Sequence, residues 1–372
     1  MLTLAGVAVK TILVSSCSLR PLIVVTTPNA FLYELPHERI AQRPVYPYDK
    51  AKLLTCHRSD ATLSDRSFSD LSMLLGPGDV LVFNNSKVIQ ARLLGTFLET
   101  KKNIEVLLLE ESEKGIWKAL GKPLKKFKPG SVISFSDEVS ATVIERVGDY
   151  EVLLNFKASK SADILHSGTM PIPPYIRDGK GDEADLKDYQ STFAKFSGSV
   201  AAPTASLHFT PELISALEQR GVTIREVTLH VGPASFLPVV TNDNLGNTVL
   251  KEPGFERMEV TSQFFDALKK DKADGKRIIA IGTTVVRCLE SLFSDHYDFN
   301  RSDNKTDLFI TPGYKFQCID ALITNFHQPG SSHLLLVEAF MRSKSFMQSV
   351  YQHALSSQYR FLSYGDGMFI LP

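Results

Sequence analysis

Three histidines in polar turns are the side chains best suited to proton-transfer chemistry. They are His208, His230 and His327, each at the end of a predicted strand or in a tight turn. Histidine is the usual general acid or base near neutral pH. For any one of these histidines taken alone, a structural role with hydrogen bonds to the backbone is the simpler interpretation. Because all three occupy equivalent positions, proton transfer is favoured for the set. No metal site is expected, because their spacings lack the close pairing of helical zinc motifs.

A second candidate for chemistry is an anion site at a predicted helix start. Gly282, Thr283 and Thr284 follow a buried strand and offer hydroxyl and backbone N–H groups to a carboxylate or phosphate. Plain capping of the helix by these residues is the alternative. Arg287 lies one turn further along and could form a bidentate pair with the same anion. Ser331 and Ser332 offer a second helix start of this kind.

A local basic patch lies between residues 118 and 128, with Trp117 and Phe127 beside it. Such a patch is what an otherwise neutral protein needs to hold a nucleic-acid backbone. The alternative is a solvated hairpin edge that lysines protect from aggregation. Its five lysines are Lys118, Lys122, Lys125, Lys126 and Lys128.

Two kinds of element must position these groups. Residues 94–156 contain short strands separated by Gly and Pro turns, which predicts a small antiparallel β-barrel. The second half repeats strand, polar turn and helix, for example through Arg277–Ile281 and Ala321–Phe326, which predicts an α/β domain. The expected fold is therefore a large discontinuous α/β domain, 31–93 and 157–372, with the barrel inserted, after a poorly ordered extension over 1–30.

Composition limits the possible functions. The 372 residues carry 41 basic and 41 acidic side chains, so a general electrostatic binder of polymers is not expected. The sequence lacks the phosphate-binding glycine motifs of dinucleotide and nucleotide enzymes, and it lacks a G-x-S-x-G nucleophile elbow. No apolar stretch reaches membrane-spanning length. The four cysteines are scattered along the chain, at Cys17, Cys56, Cys288 and Cys318. This spacing suggests no disulfide framework and favours a reducing compartment, so we expect the protein in the cytoplasm.

Ordered motifs carry a family resemblance across about nine-tenths of the chain. The matching blocks are Tyr33–Pro36, Ile40–Gln42, Asp79–Leu93, Met170–Ile176, Gly198–Thr210, Thr228–Gly232, Gly282–Arg287, Phe309–Tyr314, Thr324–His327 and Tyr359–Asp366. In these blocks the sequence resembles the S-adenosylmethionine:tRNA ribosyltransferase-isomerase family of queuosine synthesis. One departure stands out, because Pro253 and Gly254 replace the Met-His of the family's Met-His-x-Glu pattern, whereas Glu256 keeps its glutamate. Gln328 likewise stands where Leu is usual.

The resemblance implies a reaction and a set of binding residues. S-adenosylmethionine is the expected ribosyl donor, and no tightly bound cofactor is expected. The acceptor is tRNA with 7-aminomethyl-7-deazaguanine at the wobble position, and the products are epoxyqueuosine-tRNA, adenine and methionine. A monomer without membrane contact is expected. The candidate substrate-binding residues are Asn84, Arg92, Tyr175, Thr204, Thr228, Thr283, Thr284, Arg287, Asn325, Tyr364 and Asp366.

Two other functions stay open at this stage. A conventional S-adenosylmethionine-dependent methyltransferase would transfer a methyl group rather than ribose. A tRNA-binding protein that kept the fold but lost catalysis is the other, and the missing Met-His pair at Pro253 and Gly254 is the main feature that favours it.

Overall fold

The chain divides into two compact units in a computed structural model. The first unit comprises Met1–Phe83, Thr204–Val227 and Ala234–Pro372, and the second comprises Asn84–Pro203 and Thr228–Pro233. Apart from the strand pieces β1 (Val9–Lys10) and β2 (Val24–Val25), the predicted extension over residues 1–30 lies outside the described residues. The structure describes these two pieces and residues 33–372, except 149, 158–160, 233–239, 243–247, 251–253, 295–296 and 300–303.

The first unit is built on a nine-stranded mixed sheet. Its strand order is β19-β17-β14-β5-β18-β20-β21-β3-β4. The strands are β3 (Lys52–His57), β4 (Leu63–Ser67), β5 (Asp79–Asn84), β14 (Thr223–Leu229), β17 (Glu256–Glu259), β18 (Arg277–Ile281), β19 (Lys305–Thr306), β20 (Ala321–Asn325) and β21 (Gly367–Leu371). A separate hairpin joins β15 (Val240–Asn242) and β16 (Thr248–Leu250).

The centre of this sheet is parallel and fully buried. Strand β18 pairs in parallel with both β5 and β20, and all five residues of β20 are buried. Runs of Ile, Leu, Val and Ala suit such strands because both faces are covered. Parallel strands end at the same edge, so the turns after β18 and β20 are neighbours. The backbone N–H of Gly282 donates to the carbonyl of Ile323 over 2.8 Å there.

Helices pack around this sheet, and hydroxyl side chains begin several of them. The Thr210 hydroxyl accepts the N–H of Leu213, and the Ser343 hydroxyl accepts that of Phe346. These caps satisfy N–H groups that have no partner inside the helix. The helices of this unit are α1 (Leu71–Leu74), α4 (Pro211–Gln219), α5 (Ser262–Ala273), α6 (Thr283–Leu292), α7 (Ser332–Met341) and α8 (Lys344–Ser356).

A buried charge cluster fastens α5 to the sheet. Asp271 is 3% exposed and accepts hydrogen bonds from Arg225 of β14 and from Lys276, whose Nζ is 3.0 Å away. Burial opposes ionisation of this carboxyl, but the hydrogen bonds and charges of its two cationic partners outweigh burial and hold the pKa of Asp271 below its ordinary value. The carboxylate is therefore the stable form at neutral pH.

The second unit contains a closed six-stranded antiparallel barrel. Its strand order is β10-β11-β12-β9-β8-β7. Alternate residues such as Val106, Leu108, Val152 and Leu154 are fully buried and fill the interior. The remaining elements are a parallel pair, β6 (Ser86–Val88) with β13 (Phe196–Ser199), and the helices α2 (Ser161–His166) and α3 (Asp185–Asp188). The barrel strands are β7 (Arg92–Phe97), β8 (Asn103–Glu113), β9 (Ile116–Lys122), β10 (Val132–Ser134), β11 (Ser140–Val147) and β12 (Glu151–Lys157).

The predicted fold class, an α/β domain with a small β-barrel, is confirmed. The barrel strands run from 92 to 157, close to the predicted insertion of 94–156, whereas the compact unit around them is larger. It includes the flanking strands β6 and β13, which pair with each other. Among the described residues, no helix is long and apolar enough to cross a membrane.

Candidate active site

The turns after β18 and β20 bring together most of the first unit's predicted site residues. Gly282 caps α6 with φ +91°, a conformation that favours glycine, and no side chain caps this helix. Thr283 and Thr284 follow in its first turn and are 6% and 9% exposed. A Cβ atom on Gly282 would stand 3.5 Å from Cβ of Ala205. The predicted helix start is confirmed, and its anion-binding role stays a prediction.

Thr204 and Asn325 form a hydrogen-bonded pair at the same edge. The Thr204 hydroxyl donates to Oδ1 of Asn325 over 2.8 Å, and Nδ2 of Asn325 donates to the carbonyl of Leu362 over 3.3 Å. Asn325 is 3% exposed. Both the oxygen and the nitrogen of this amide are therefore engaged within the protein, and a substrate contact of Asn325 must use its remaining hydrogen-bonding capacity.

His327 is fixed firmly just after β20. Its Nε2 is 2.9 Å from the hydroxyl of Thr324, its backbone N–H donates to the Tyr351 hydroxyl over 3.2 Å, and its carbonyl accepts the Tyr33 hydroxyl. Burial, and next the charge of His333, lowers the pKa of His327 well below its ordinary value. The imidazole is therefore neutral at physiological pH, and it is a weaker base than a histidine in water.

His333 is a further candidate site residue, which the sequence did not reveal. It lies in the first turn of α7 and its ring stacks on His327 with centroids 5.2 Å apart. Burial, and next the charge of Arg287, lowers the pKa of His333 to about 4. Its position beside Ser331 and Ser332, at a helix start already noted, was the available signal.

Arg287 forms a buried ion pair with Glu256. The Arg287 side chain is 12% exposed and the Glu256 side chain 1% exposed. Burial lowers the pKa of Arg287 to about 10, so the guanidinium still carries its charge at neutral pH. We predicted that Arg287 binds a substrate anion, but its ionic partner is a protein carboxylate that any such anion would have to share. Glu256, the glutamate that the chain keeps from the family's Met-His-x-Glu pattern, is thus the ionic partner of Arg287.

His208 occupies a different environment from His327. It is 4% exposed and stacks on Phe68 with ring centroids 4.1 Å apart. Burial, and next the charge of Arg360, lowers the pKa of His208 to about 3. Its Nε2 has no hydrogen-bond partner among the described residues. Packing accounts for this ring as it stands, and its catalytic role stays a prediction.

Asp366 and Tyr364 are buried in the turn before β21. The Asp366 carboxylate accepts the N–H of Lys52 over 3.0 Å and that of Arg360 over 2.7 Å. Asp366 is 2% exposed and Tyr364 1% exposed. The carboxylate therefore organises this turn, and the predicted binding of substrate by Asp366 and Tyr364 stays a prediction.

In the second unit, Asn84 and Thr228 make hydrogen bonds within the protein. Asn84 Nδ2 donates to the carbonyl of Leu229 over 2.8 Å, and its Oδ1 accepts the N–H of Leu229 over 3.1 Å. The Thr228 hydroxyl donates to Oδ1 of Asn85 over 2.7 Å. These contacts fix the segment that carries His230, which is 8% exposed. Substrate binding by Asn84 and Thr228 stays a prediction.

Arg92 ties the barrel to the segment that carries Tyr175. Its guanidinium pairs with Glu105 over 3.0 Å and donates to the carbonyls of Ile172 and Gly179. Tyr175, between these two carbonyls in sequence, is partly buried. The arginine thus holds the loop in place, and a substrate contact for either residue stays a prediction.

The predicted lysine patch surrounds a short turn of the barrel. Buried Phe127 anchors this turn through an edge contact with Phe97, with ring centroids 5.4 Å apart. Lys118 pairs with Glu151 over 2.7 Å. Lys126 is partly buried, and the other members are exposed: Lys122, Lys125 and Lys128. Among the described residues, no cluster of three or more His, Cys, Asp or Glu could hold a metal ion.

Comparisons with known proteins identify close relatives of this chain. It matches the family described as "Queuosine biosynthesis protein" over residues 28–370. A protein named S-adenosylmethionine:tRNA ribosyltransferase-isomerase from Erythrobacter litoralis is 42% identical over 347 residues, which cover 92% of this chain and 98% of the relative. Its namesake from Thermotoga petrophila is 43% identical over 344 residues, covering 92% and 99%. A crystal structure of S-adenosylmethionine tRNA ribosyltransferase from Thermotoga maritima covers 92% of this chain and all of its own, with 35% identity and a TM-score of 0.49.

Proposed function

The chain belongs to the queuosine biosynthesis protein family, and we propose that it transfers the ribosyl group of S-adenosylmethionine to tRNA and isomerises it. It is an enzyme of the ribosyltransferase-isomerase type. The proposed acceptor is 7-aminomethyl-7-deazaguanine at the wobble position. The products are epoxyqueuosine-tRNA, adenine and methionine.

The chemistry defines what the site must supply. The positive sulfonium acidifies the C5′ hydrogens, so a base removes one of these protons. Adenine leaves with a proton, the aminomethyl nitrogen attacks the ribosyl carbon, and the ring closes again as methionine is expelled. The enzyme therefore needs a proton acceptor, a proton donor for adenine and a site for the methionine carboxylate.

The observation that carries the proposal is the neutral, rigidly held His327 beside the start of α6. His327 is our proton acceptor, because its neutral ring lies at the edge where parallel strands end and ligands usually bind. The first-turn N–H groups of Thr283 and Thr284 are the proposed carboxylate site. His208 and His230 stay candidates for the proton that leaves with adenine.

The proposed tRNA contact is the lysine patch of the barrel. Exposed lysines that surround one anchored turn present their charge from a fixed place, which favours phosphate binding over a mobile solvated edge. The target base in an anticodon loop is already outside a duplex, so presenting it costs little.

The direct test measures two products at once. Purified protein is given S-adenosylmethionine labelled in the ribose, with tRNA that carries either the aminomethyl base or unmodified guanine. We expect adenine release and ribose label in RNA only with the modified base. The methyl-labelled cosubstrate should leave no label in RNA, and label there would indicate a methyltransferase instead. Tight tRNA binding with neither product would support the binding-only function.

Histidine variants test the proposed base. His327→Asn should reduce adenine release by at least about a hundredfold, the usual contribution of a general base. His37→Asn is the matched control, because His37 is an exposed histidine of the same unit and should leave the rate unchanged. Wild-type turnover by a folded His327→Asn variant would exclude His327 as the base.

A further inference from the structure

A cavity beside the C-terminal half of α7 has no part in the function described so far. Its volume is about 450 Å³, which is within the usual range of small-molecule sites. One wall is the loop over residues 312–316, and the other consists of the end of α7 and the start of α8. The candidate site residue His333 lies in the first turn of α7, so the cavity is at the other end of that helix.

Buried contacts fix the loop that forms the first wall. The Glu290 carboxylate of α6 accepts the backbone N–H of Gln317 over 2.8 Å and the hydroxyl of Tyr314 over 3.3 Å. The ring of Phe316 makes an edge contact with Phe340 of α7, with centroids 5.0 Å apart. The wall is therefore formed before any ligand arrives, and it brings two aromatic side chains to the cavity, Tyr314 and Phe316.

Glu338 of α7 brings an unpaired carboxyl to the same cavity. The residue is 7% exposed and lines the cavity, and its Oε2 is buried without a hydrogen-bond partner among the described residues. Burial raises the pKa of this carboxyl, and the charge of Lys344 offsets only part of that effect. A buried carboxyl without a donor costs free energy, so a ligand that supplies N–H groups to Glu338 would be stabilised there.

Three cations line this cavity as well, and none of them forms an ion pair in the part of the chain that the structure describes. They are Lys315, Arg342 and Lys344. The charge of Arg342 acts on another cation, since burial, and next Arg342, lowers the pKa of Arg58. The N-terminus of α8 adds a partial positive charge at Lys344. With Glu338 ionised, three positive charges and one negative charge give the cavity a net charge of +2.

We propose that this cavity binds a guanine nucleotide, with the base at the aromatic wall and Glu338 and the phosphate at the cations. The phosphate of a nucleoside monophosphate carries about −1.5 to −2 charges at pH 7, which matches the net charge of the cavity. A zwitterionic amino acid would leave that charge unmatched. Guanine offers a carboxylate two adjacent N–H donors, whereas uracil offers one between two carbonyl oxygens. Aromatic side chains are the usual partners of a nucleobase face.

Calorimetric titration of the whole protein with GMP tests this site. We expect saturable binding of GMP, roughly tenfold tighter than that of UMP, because UMP offers the carboxylate fewer donors. IMP lacks the 2-amino group of guanine and should bind the wild-type protein roughly fivefold more weakly than GMP, a comparison that needs no variant. S-adenosylmethionine should leave the affinity for GMP unchanged, because its proposed site is at the other end of α7.

Two variants separate recognition of the base from recognition of the phosphate. Glu338→Gln should weaken GMP binding by roughly tenfold or more and remove the preference over UMP. Arg342→Asn should weaken GMP binding by a similar factor and leave guanosine binding unchanged. Asparagine tolerates the left-handed backbone of Arg342, whose φ is +58°. Lys270→Gln is the matched control, because Lys270 is an exposed cation of α5 outside the cavity and should change neither affinity.

The absence of saturable GMP binding to the folded wild-type protein would overturn the proposal. A folded Glu338→Gln variant that keeps the preference for GMP over UMP would also overturn it, and so would displacement of GMP by S-adenosylmethionine, which would place GMP in the active site. The nucleotide is either free or part of tRNA, since both present the same groups. Competition between GMP and tRNA, lost in Arg342→Asn, would support the site and assign it to tRNA. Simultaneous binding of GMP and tRNA would support it as a site for a free nucleotide.

The proposal does not rest on ribosyl transfer, and none of these measurements needs turnover. A protein that binds GMP as expected but releases no adenine would refute the proposed function alone. A protein that releases adenine but binds no GMP would refute the nucleotide site alone.

Discussion

Removing the charge of Glu256 should cost the protein much of its stability. Glu256→Gln keeps the size of the side chain but leaves the Arg287 guanidinium buried without a countercharge. Breaking a buried ion pair from one side costs about 3–5 kcal/mol. We expect a loss of stability of about 3 kcal/mol, the lower end of this range, because the Arg287 side chain is 12% exposed to solvent and glutamine retains a hydrogen-bond acceptor. At about 2.1 cal/mol/K of unfolding entropy per residue over the 372 residues, the melting temperature should fall by roughly 4 °C.

Thermal unfolding followed by circular dichroism and calorimetry measures this loss. The double variant Glu256→Leu/Arg287→Met is the control, since it removes both charges and leaves neither buried alone. It should recover most of the loss, because well-packed apolar residues replace buried ion pairs at little cost. A melting temperature within about 1 °C of wild type for Glu256→Gln, by the same scaling less than about 1 kcal/mol, would refute the reasoning. So would a double variant that loses as much as both single variants combined.

Three further perturbations test other parts of the molecule. Asp271→Asn should destabilise the protein by about 1–3 kcal/mol at pH 7, measured by urea unfolding. Because the pKa of Asp271 is depressed in the folded protein, the difference in stability between wild type and variant should shrink as pH falls below about 4. Gly198→Ala would place a methyl group 2.7 Å from Nδ1 of His230, so adenine release should fall by roughly tenfold or more, and an unchanged rate would remove His230 from the reaction. Replacing the exposed lysines Lys122, Lys125 and Lys128 by alanine should make the plot of log tRNA affinity against log salt concentration less steep by about two in filter-binding titrations. An unchanged slope would mean that the patch does not contact phosphate.

The fold was predictable where local patterns match the structure. Strand β18 begins and ends at the predicted residues, Arg277 and Ile281, because an apolar run bounded by Lys276 and Gly282 leaves little choice. Strand β14, which begins at Thr223, is harder to predict, because its first half is only partly buried and shows no apolar alternation. The barrel was predictable from its turns. The pairing of the flanking strands β6 and β13 was not, because these two strands lie far apart in the sequence.

The site was less predictable than the fold, since partners far apart in sequence decide the roles of its residues. Arg287 was expected to bind a substrate anion, and in the structure its ionic partner is Glu256, 31 positions away in the printed sequence. Asp366 was expected to contact substrate, and its carboxylate accepts backbone N–H groups; both substrate contacts stay predictions. His333 was missed because the pattern of α7 shows a capping serine and an apolar helix, and only the fold brings its ring to His327.

The charges of this cluster suit a substrate that is itself a cation. S-adenosylmethionine carries a positive sulfonium, so an unpaired arginine and charged histidines would repel it. In the structure, Glu256 neutralises Arg287, and burial keeps His327 and His333 uncharged near neutral pH. The first turn of α6 can still attract the methionine carboxylate through backbone N–H groups, which carry only partial charge. Under the proposed function, the site binds both ends of the donor and keeps a neutral base for its proton, and this balance depends on the buried glutamate.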